Sequence, residues 1–268
     1  MGKRRRFLLI AALFSGLICY SYSFTAYPIR VSNMVFELSL APGESGTFSF
    51  EVLNNETRTT RITVYLVDWR IHPDGSQVFL DPGILPRSNT AWIVVSPSEF
   101  GLNPGETQEV RFTISVPENV EGGTYWGMIF VEGSPIVTES GGISILTVQR
   151  FGIKVYETTP EATLRDGRVT GMSLISLDPL KVKVAFENTG NASLRPEGRV
   201  EVMNEQGELV KRLEIGAFSV LPGANREVEV VDEGGKRLGP GRYVVLGIID
   251  FGGENLVAGR LLFQITEN

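Results

Sequence analysis

A Pro-Gly dipeptide occurs at Pro104-Gly105 and again at Pro222-Gly223, and each time a tyrosine stands twenty residues after the glycine, at Tyr125 and Tyr243. Around these anchors Leu102, Val110 and Gly123 correspond to Val220, Val228 and Gly241. An internal repeat of this kind signals two copies of one structural plan. The repeated residues are turn formers and alternating apolar residues, which suit turn-rich β structure. None is a reactive group, so the repeat carries no chemistry of its own.

Composition points the same way. Fifteen phenylalanines, thirty glycines and fourteen prolines in 268 residues fit β-sandwiches better than a helical bundle. Beyond the first two dozen residues no long segment keeps a 3.6-residue apolar period. The length suffices for two ordinary domains with cores of their own. The expected fold is all-β, with two immunoglobulin-like β-sandwich domains in tandem after a signal peptide.

Residues 1–23 form the expected signal peptide: Lys3, Arg4, Arg5 and Arg6, an apolar run from Phe7 to Cys19, and the small-x-small pattern Ser21-Tyr22-Ser23. The alternative is an uncleaved anchor, the only membrane contact expected, although the apolar run falls short of a comfortable bilayer span. Leu17 and Ile18 stand where a lipobox has small residues, which argues against lipidation of Cys19. Cleavage removes four positive charges and no acid, taking the formal net charge from −6 to −10. An acidic chain lacks the basic face that nucleic acid requires. Loss of Cys19 leaves no cysteine, so disulfides and thiol chemistry are excluded.

The two domains are expected at 24–159 and 160–268. In the first, Phe48, Phe50 and Val52 alternate with polar residues, Ile62, Val64 and Leu66 lead to Asp68-Trp69, and Val110, Phe112, Ile114 and Val116 alternate strictly. Tyr125 to Val131 is continuously apolar and suits a sheet centre. Trp69 is read as an inter-sheet core aromatic. Tyr125 and Tyr243 are read as corner residues whose hydroxyls cap loop carbonyls. Ser134 to Gly142 reads as a mobile loop, and Glu157-Thr158-Thr159-Pro160 as a short interdomain link. In the second domain, strands are expected around Val182 to Phe186, Val200 and Val202, Leu209 to Ile215, Val228 and Val230, Tyr243 to Ile249, and Leu261 to Ile265.

The segment from Ile143 to Tyr156 departs from these patterns. Ile143 and Ile145 occupy one alternation phase and Leu146 and Val148 the other, which implies a bulge or register change before Ile153. An edge strand of this kind can recruit another chain by β-augmentation. A buried strand bending between two sheets would read the same way. No metal-binding or catalytic constellation emerges: His72 is the only histidine and lies in a Pro-Asp-Gly turn, Asp68 and Asp250 read as capping acids, and the remaining acids fall on turns or polar faces. No cofactor and no small-molecule substrate are expected. Asn55-Glu56-Thr57 and Asn191-Ala192-Ser193 match the glycosylation sequon.

The first domain resembles the amino-terminal domain of periplasmic pilus chaperones of the chaperone-usher family. The matching features are Val31 to Glu37, Phe48 to Asn54, Trp92 to Phe100 followed by Leu102-Asn103-Pro104-Gly105, the strand after Tyr125, and the run from Ile143 to Tyr156. The resemblance implies a non-enzymatic, exported or periplasmic binding protein that captures extended segments of secreted or surface subunits, pilins among them. It implies partner-binding roles for Ile143, Ile145, Leu146 and Val148. It also implies a basic pair holding the subunit's terminal carboxylate, with Lys154 in Ile153-Lys154-Val155-Tyr156 as its lysine. Asn33 stands where the arginine of that pair would be, and Arg30 is the nearest basic residue. The bland reading of Lys154 is a surface lysine snorkelling between core residues. The alternative function is a structural or adhesive cell-envelope protein built from paired sandwiches.

Overall fold

The computed structural model describes residues 28–160, 163–234 and 237–266; the expected signal peptide lies outside them. In the first domain the strands are β1 (Ile29–Val31), β2 (Val35–Leu38), β3 (Ser45–Asn54), β4 (Thr60–Ile71), β5 (Gln77–Leu80), β6 (Ile93–Ser96), β7 (Glu99–Leu102), β8 (Thr107–Ser115), β9 (Gly123–Gly133), β10 (Ile136–Ser140), β11 (Ile143–Thr147) and β12 (Arg150–Thr159). One sheet runs β1-β3-β8-β6. The facing sheet runs β2-β12-β9-β4-β5, with β7 also on β4. The alternating residues predicted to point inward do so: Phe50, Val52, Ile62, Val64, Val110 and Phe112 are buried in the core between the sheets.

The second domain contains β13 (Gly167–Leu177), β14 (Leu180–Asn188), β15 (Glu197–Met203), β16 (Leu209–Ile215), β17 (Asn225–Val231), β18 (Gly241–Asp250) and β19 (Val257–Ile265). Sheets β13-β14-β17 and β16-β15-β18-β19 enclose a core of Val182, Val184, Phe186, Val200 and Val245. β13 escapes prediction because its pairing with β14 slips twice, between Val169 and Gly171 and between Leu174 and Ser176. Each slip moves the apolar residues to the other parity and erases the two-residue period.

The repeat corresponds to a clamp present once in each sandwich. Asn54, fully buried, donates from Nδ2 to the carbonyls of Arg58 (2.9 Å) and Leu102 (3.0 Å), and its Oδ1 accepts from Glu56 N–H. Asn188, also fully buried, donates to Ala192 O (2.8 Å) and Val220 O (3.1 Å) and accepts from Gly190 N–H. Gly105 and Gly223 have φ of +76° and +71°, a region that favours glycine, and return their N–H groups to Asn54 O and Asn188 O. The shared Leu102 and Val220 positions supply the carbonyls that each asparagine holds.

The copies differ in what surrounds the turn. Asn103 is exposed in the first copy, whereas its counterpart Leu221 is 2% exposed in a cluster with Trp69, Trp126, Met128, Phe130 and Tyr156. The second turn thus plugs the outer face of the first domain. Backbone bonds fix the seam on both sides of the plug: Thr124 N–H to Asn191 O (2.8 Å) and Glu227 N–H to Pro73 O (2.7 Å). The Arg226 guanidinium also donates to Pro73 O.

This placement corrects the reading of Trp69. Along β4 the residues Ile62, Val64 and Leu66 face the inter-sheet core, and Trp69, of the opposite parity, faces the second domain with Tyr65 and Val67. Its Nε1–H donates to Gly127 O at 3.2 Å, and Trp126 Nε1–H donates to Trp69 O at 2.8 Å. Tyr243 is a corner residue as expected, its hydroxyl donating to Gly239 O at 2.9 Å. Tyr125 is not its equivalent here: its ring lies 4.6 Å from that of Trp92, centroid to centroid, with the Arg87 guanidinium over its face. The expected link begins only at Pro160, because Glu157, Thr158 and Thr159 still belong to β12.

Candidate functional site

The segment expected to be a mobile loop is partly strand. Ile136–Ser140 forms β10, the turn Gly141-Gly142 has φ of +58° and +80°, and β11 returns antiparallel with Val137 opposite Leu146. Two consecutive positive φ values make the two-residue hairpin turn whose twist matches antiparallel strands. The ladder of β10 and β11 continues that of β9 and β12 beyond the end of the sandwich. Between the two ladders Gly133, Ser134 and Pro135 face only Val148 and Gln149. The expected register change is therefore present, with the extra residue on the opposing strand.

Every residue of β11 is exposed. Ile143, Ile145, Leu146 and Val148 are 67%, 52%, 64% and 42% exposed, which excludes the buried, bending strand. Ile143 and Ile145 share a parity with Ile153 and Val155, which are fully buried in the first core. The core-facing row thus runs past the end of the sandwich to a place where, among the described residues, no second sheet opposes it. From Ser134 to Gln149 the only charged residue is Glu139. Natural edge strands are usually blunted by charge or covering elements, and among the described residues this one is left open.

The open edge has a defined end. β2 runs parallel to β12, with Val35 opposite Lys154 and Leu38 opposite Glu157. Lys154 N–H donates to Met34 O at 2.9 Å. Alternation then directs the N–H groups of Gly152 and Arg150 to the same edge, N-terminal to β2, where the described strands leave them uncovered.

At this end two cations meet. The Lys154 ammonium lies 4.8 Å from the centre of the Trp69 ring, a cation–π arrangement. Burial, and then the positive charge of Arg195 in the second domain, hold its pKa below the usual lysine value. Arg195 pairs with Glu37 of β2. Tyr156 lies next to them, its phenol pushed up to about 12 by burial, and so remains neutral. Arg30 takes no part: it lies in β1, on the other sheet, opposite Leu53. Sequence reasoning missed Arg195 because its approach to Lys154 exists only once the two domains are docked.

A second acid was also missed. Glu157 is fully buried; one carboxylate oxygen accepts from Leu40 N–H at 2.8 Å and the other has no partner. Burial pushes its pKa up. A carboxyl that binds its proton more tightly in the folded than in the unfolded chain favours folding fully below its unfolded pKa, and this contribution is lost as pH rises through the folded pKa. Glu157→Gln is therefore expected to melt above the parent at pH 7.5, with the difference closing at about pH 4. Thermal melts across that range check it, and a lower melting temperature for the variant at pH 7.5 contradicts it.

The other polar candidates have structural partners. Asp68 is buried and accepts from Leu85 N–H and the hydroxyls of Ser88 and Thr90. His72 closes its turn through the backbone, and Asp250 accepts from Gly252 N–H. In the second sequon Asn191 accepts from Leu164 N–H and donates to Gly122 O across the seam. Among the described residues no group of three or more His, Cys, Asp or Glu is placed to hold a metal ion.

No protein-family model matches the chain, and no curated protein matches it. Several solved structures are similar to it. A structure from a chaperone–tip adhesin complex of CFA/I fimbriae biogenesis aligns at 12% identity over 87% of this chain and 97% of that one, with a TM-score of 0.48. A structure from the CsuC–CsuE chaperone–tip adhesion subunit pre-assembly complex of Acinetobacter baumannii aligns at 12% identity, 87% and 97% coverage and a TM-score of 0.45. The E. coli chaperone DraB aligns at 14% identity, 86% and 95% coverage and a TM-score of 0.44.

Proposed function

We propose that this chain is a non-enzymatic, chaperone-like binding protein of the periplasm or cell envelope that captures an extended carboxy-terminal segment of a surface or pilus subunit by β-strand addition. Residues 1–23 direct export, 24–159 form the capture domain, and 160–268 form a supporting domain that supplies one wall of the cleft. The observation that carries this reading is the uncovered edge from Ile143 to Ile153, rich in exposed apolar residues and ending at Lys154 beside Arg195.

Chemistry gives the edge a direction. A segment added in line with β2 and parallel to β12 brings its last residue towards Lys154, where a free carboxylate meets the positive charge of a half-buried ammonium. Backbone bonds to the edge supply affinity without regard to sequence, and Ile143 and Ile145 cover the apolar side chains of an incomplete partner. The structural or adhesive alternative expects this strand buried within the fold, and its exposure favours capture.

A peptide of alternating valine and threonine, matched in length to the Ile143 to Ile153 edge and made with a free or an amidated C-terminus, tests the anchor. Lys154→Met is expected to weaken binding of the free acid by about tenfold or more and to leave the amide unchanged, as for loss of a charged hydrogen bond. Calorimetric titration reads both, and equal effects on acid and amide would remove Lys154 from the binding site.

A further inference from the structure

Lys154 and Arg195 bring two positive charges to one corner of the cleft, and among the described residues the carboxylate paired there is that of Glu37. Glu37 lies on β2 opposite Tyr156, and its Oε1 accepts from Arg195 Nη2. Among the described residues Arg195 has this ion pair and Lys154 has none. The corner as it stands is neutralised on one side only.

We propose that Glu37 is a built-in placeholder: it occupies Arg195 while the cleft is empty, and the terminal carboxylate of an incoming segment displaces it to engage Arg195 and Lys154 together. This inference rests on the capture reading and adds a residue and a control to it. Two like charges in a partly dried corner are mutually unfavourable, so the pair gains from any anion that reaches both. Among the described residues Glu37 pairs with Arg195 and makes no ion pair with Lys154. A carboxylate arriving along the edge of β12 ends beside Lys154 and can bridge the two cations.

The exchange is easy. The Glu37 and Arg195 side chains are 63% and 57% exposed, and an exposed ion pair of this kind is weak because water and salt compete for both charges. Once displaced, Glu37 can turn into solvent without leaving a buried charge. Its pairing keeps Arg195 positioned in the empty cleft and lowers the affinity for any acid-terminated segment by the strength of the pair it must give up. An amide-terminated segment has no charge with which to compete, so it binds without disturbing Glu37.

The test uses the same valine–threonine peptide as acid and as amide, with the full mature chain and its Glu37→Gln and Arg195→Ala variants, alone and combined. Glu37→Gln is expected to raise affinity for the acid about threefold, the size of a surface ion pair released, and to leave the amide unchanged. Arg195→Ala should weaken the acid only, and in that background Glu37→Gln should give no further gain. An unchanged affinity, an equal gain for the amide, or a gain that persists without Arg195 overturns the placeholder while leaving capture intact. Failure of both peptides to bind any variant overturns capture, and the placeholder with it.

Discussion

Replacing Ile143 and Ile145 together with aspartate is expected to reduce capture of the valine–threonine peptide by 100-fold or more and to leave the melting temperature of the free protein unchanged. Both side chains are more than half exposed, so the folded chain loses little packing, and exposed substitutions usually stay within about 0.5 kcal/mol. In the complex the same side chains would be covered by the partner. Burial of an isoleucine contributes about 1.5–3 kcal/mol, and two of them correspond to roughly 100-fold or more in affinity. Titration of the peptide alongside thermal melts separates the two effects. A large fall in melting temperature would instead mark Ile143 and Ile145 as core residues, contrary to their placement.

Asn188→Ala is expected to destabilise the second sandwich by about 2–4 kcal/mol, and Asn54→Ala the first by a similar amount. Each asparagine is fully buried, and its amide holds two carbonyls, Ala192 O and Val220 O in one case, Arg58 O and Leu102 O in the other. Removing the donor leaves two buried acceptors unpaired, at about 1–3 kcal/mol each before relaxation. Asn188 carries an added consequence. Its backbone N–H and carbonyl bind Ala224 and Gly223 of the turn that presents Leu221 to Trp69 and Trp126, so Asn188→Ala should loosen the interdomain seam as well. Denaturant titration followed by far-ultraviolet circular dichroism reads the stability, and tryptophan fluorescence reads the seam, since Trp69 and Trp126 pack against Leu221. Little change in stability for either variant would show that the repeated clamp is dispensable.

Much of the fold was legible because strict two-residue alternation survives wherever one face of a strand is buried, as at Phe48 to Val52 and Val110 to Val116. The repeat marked equivalent turns and equivalent tyrosine positions. It could not show that Leu221 would be a plug while Asn103 stayed in water, because that difference arises only when one sandwich meets the other. Trp69 was assigned to the wrong face for the same reason: β4 is covered on both sides, and an apolar residue of either parity then looks like core. β13 was lost to its two register slips. In the candidate site, Ile143, Ile145, Leu146, Val148 and Lys154 stood out by pattern or resemblance. Arg195 and Glu37 did not, since nothing local distinguishes a cation in a loop or an acid in a strand until docking brings them to Lys154.

The most direct measurement of strand capture is residue-resolved amide hydrogen exchange, by NMR, with and without the carboxylate-terminated peptide. Lys154 N–H already donates to Met34 O, and the alternation of β12 directs the Arg150 and Gly152 amides to the edge that is still open. Strand addition predicts slowed exchange at Arg150 and Gly152 on binding, with little change at Phe151 and Ile153, which face β9. A bound peptide that leaves Arg150 and Gly152 exchanging as in the free protein would contradict capture at this edge.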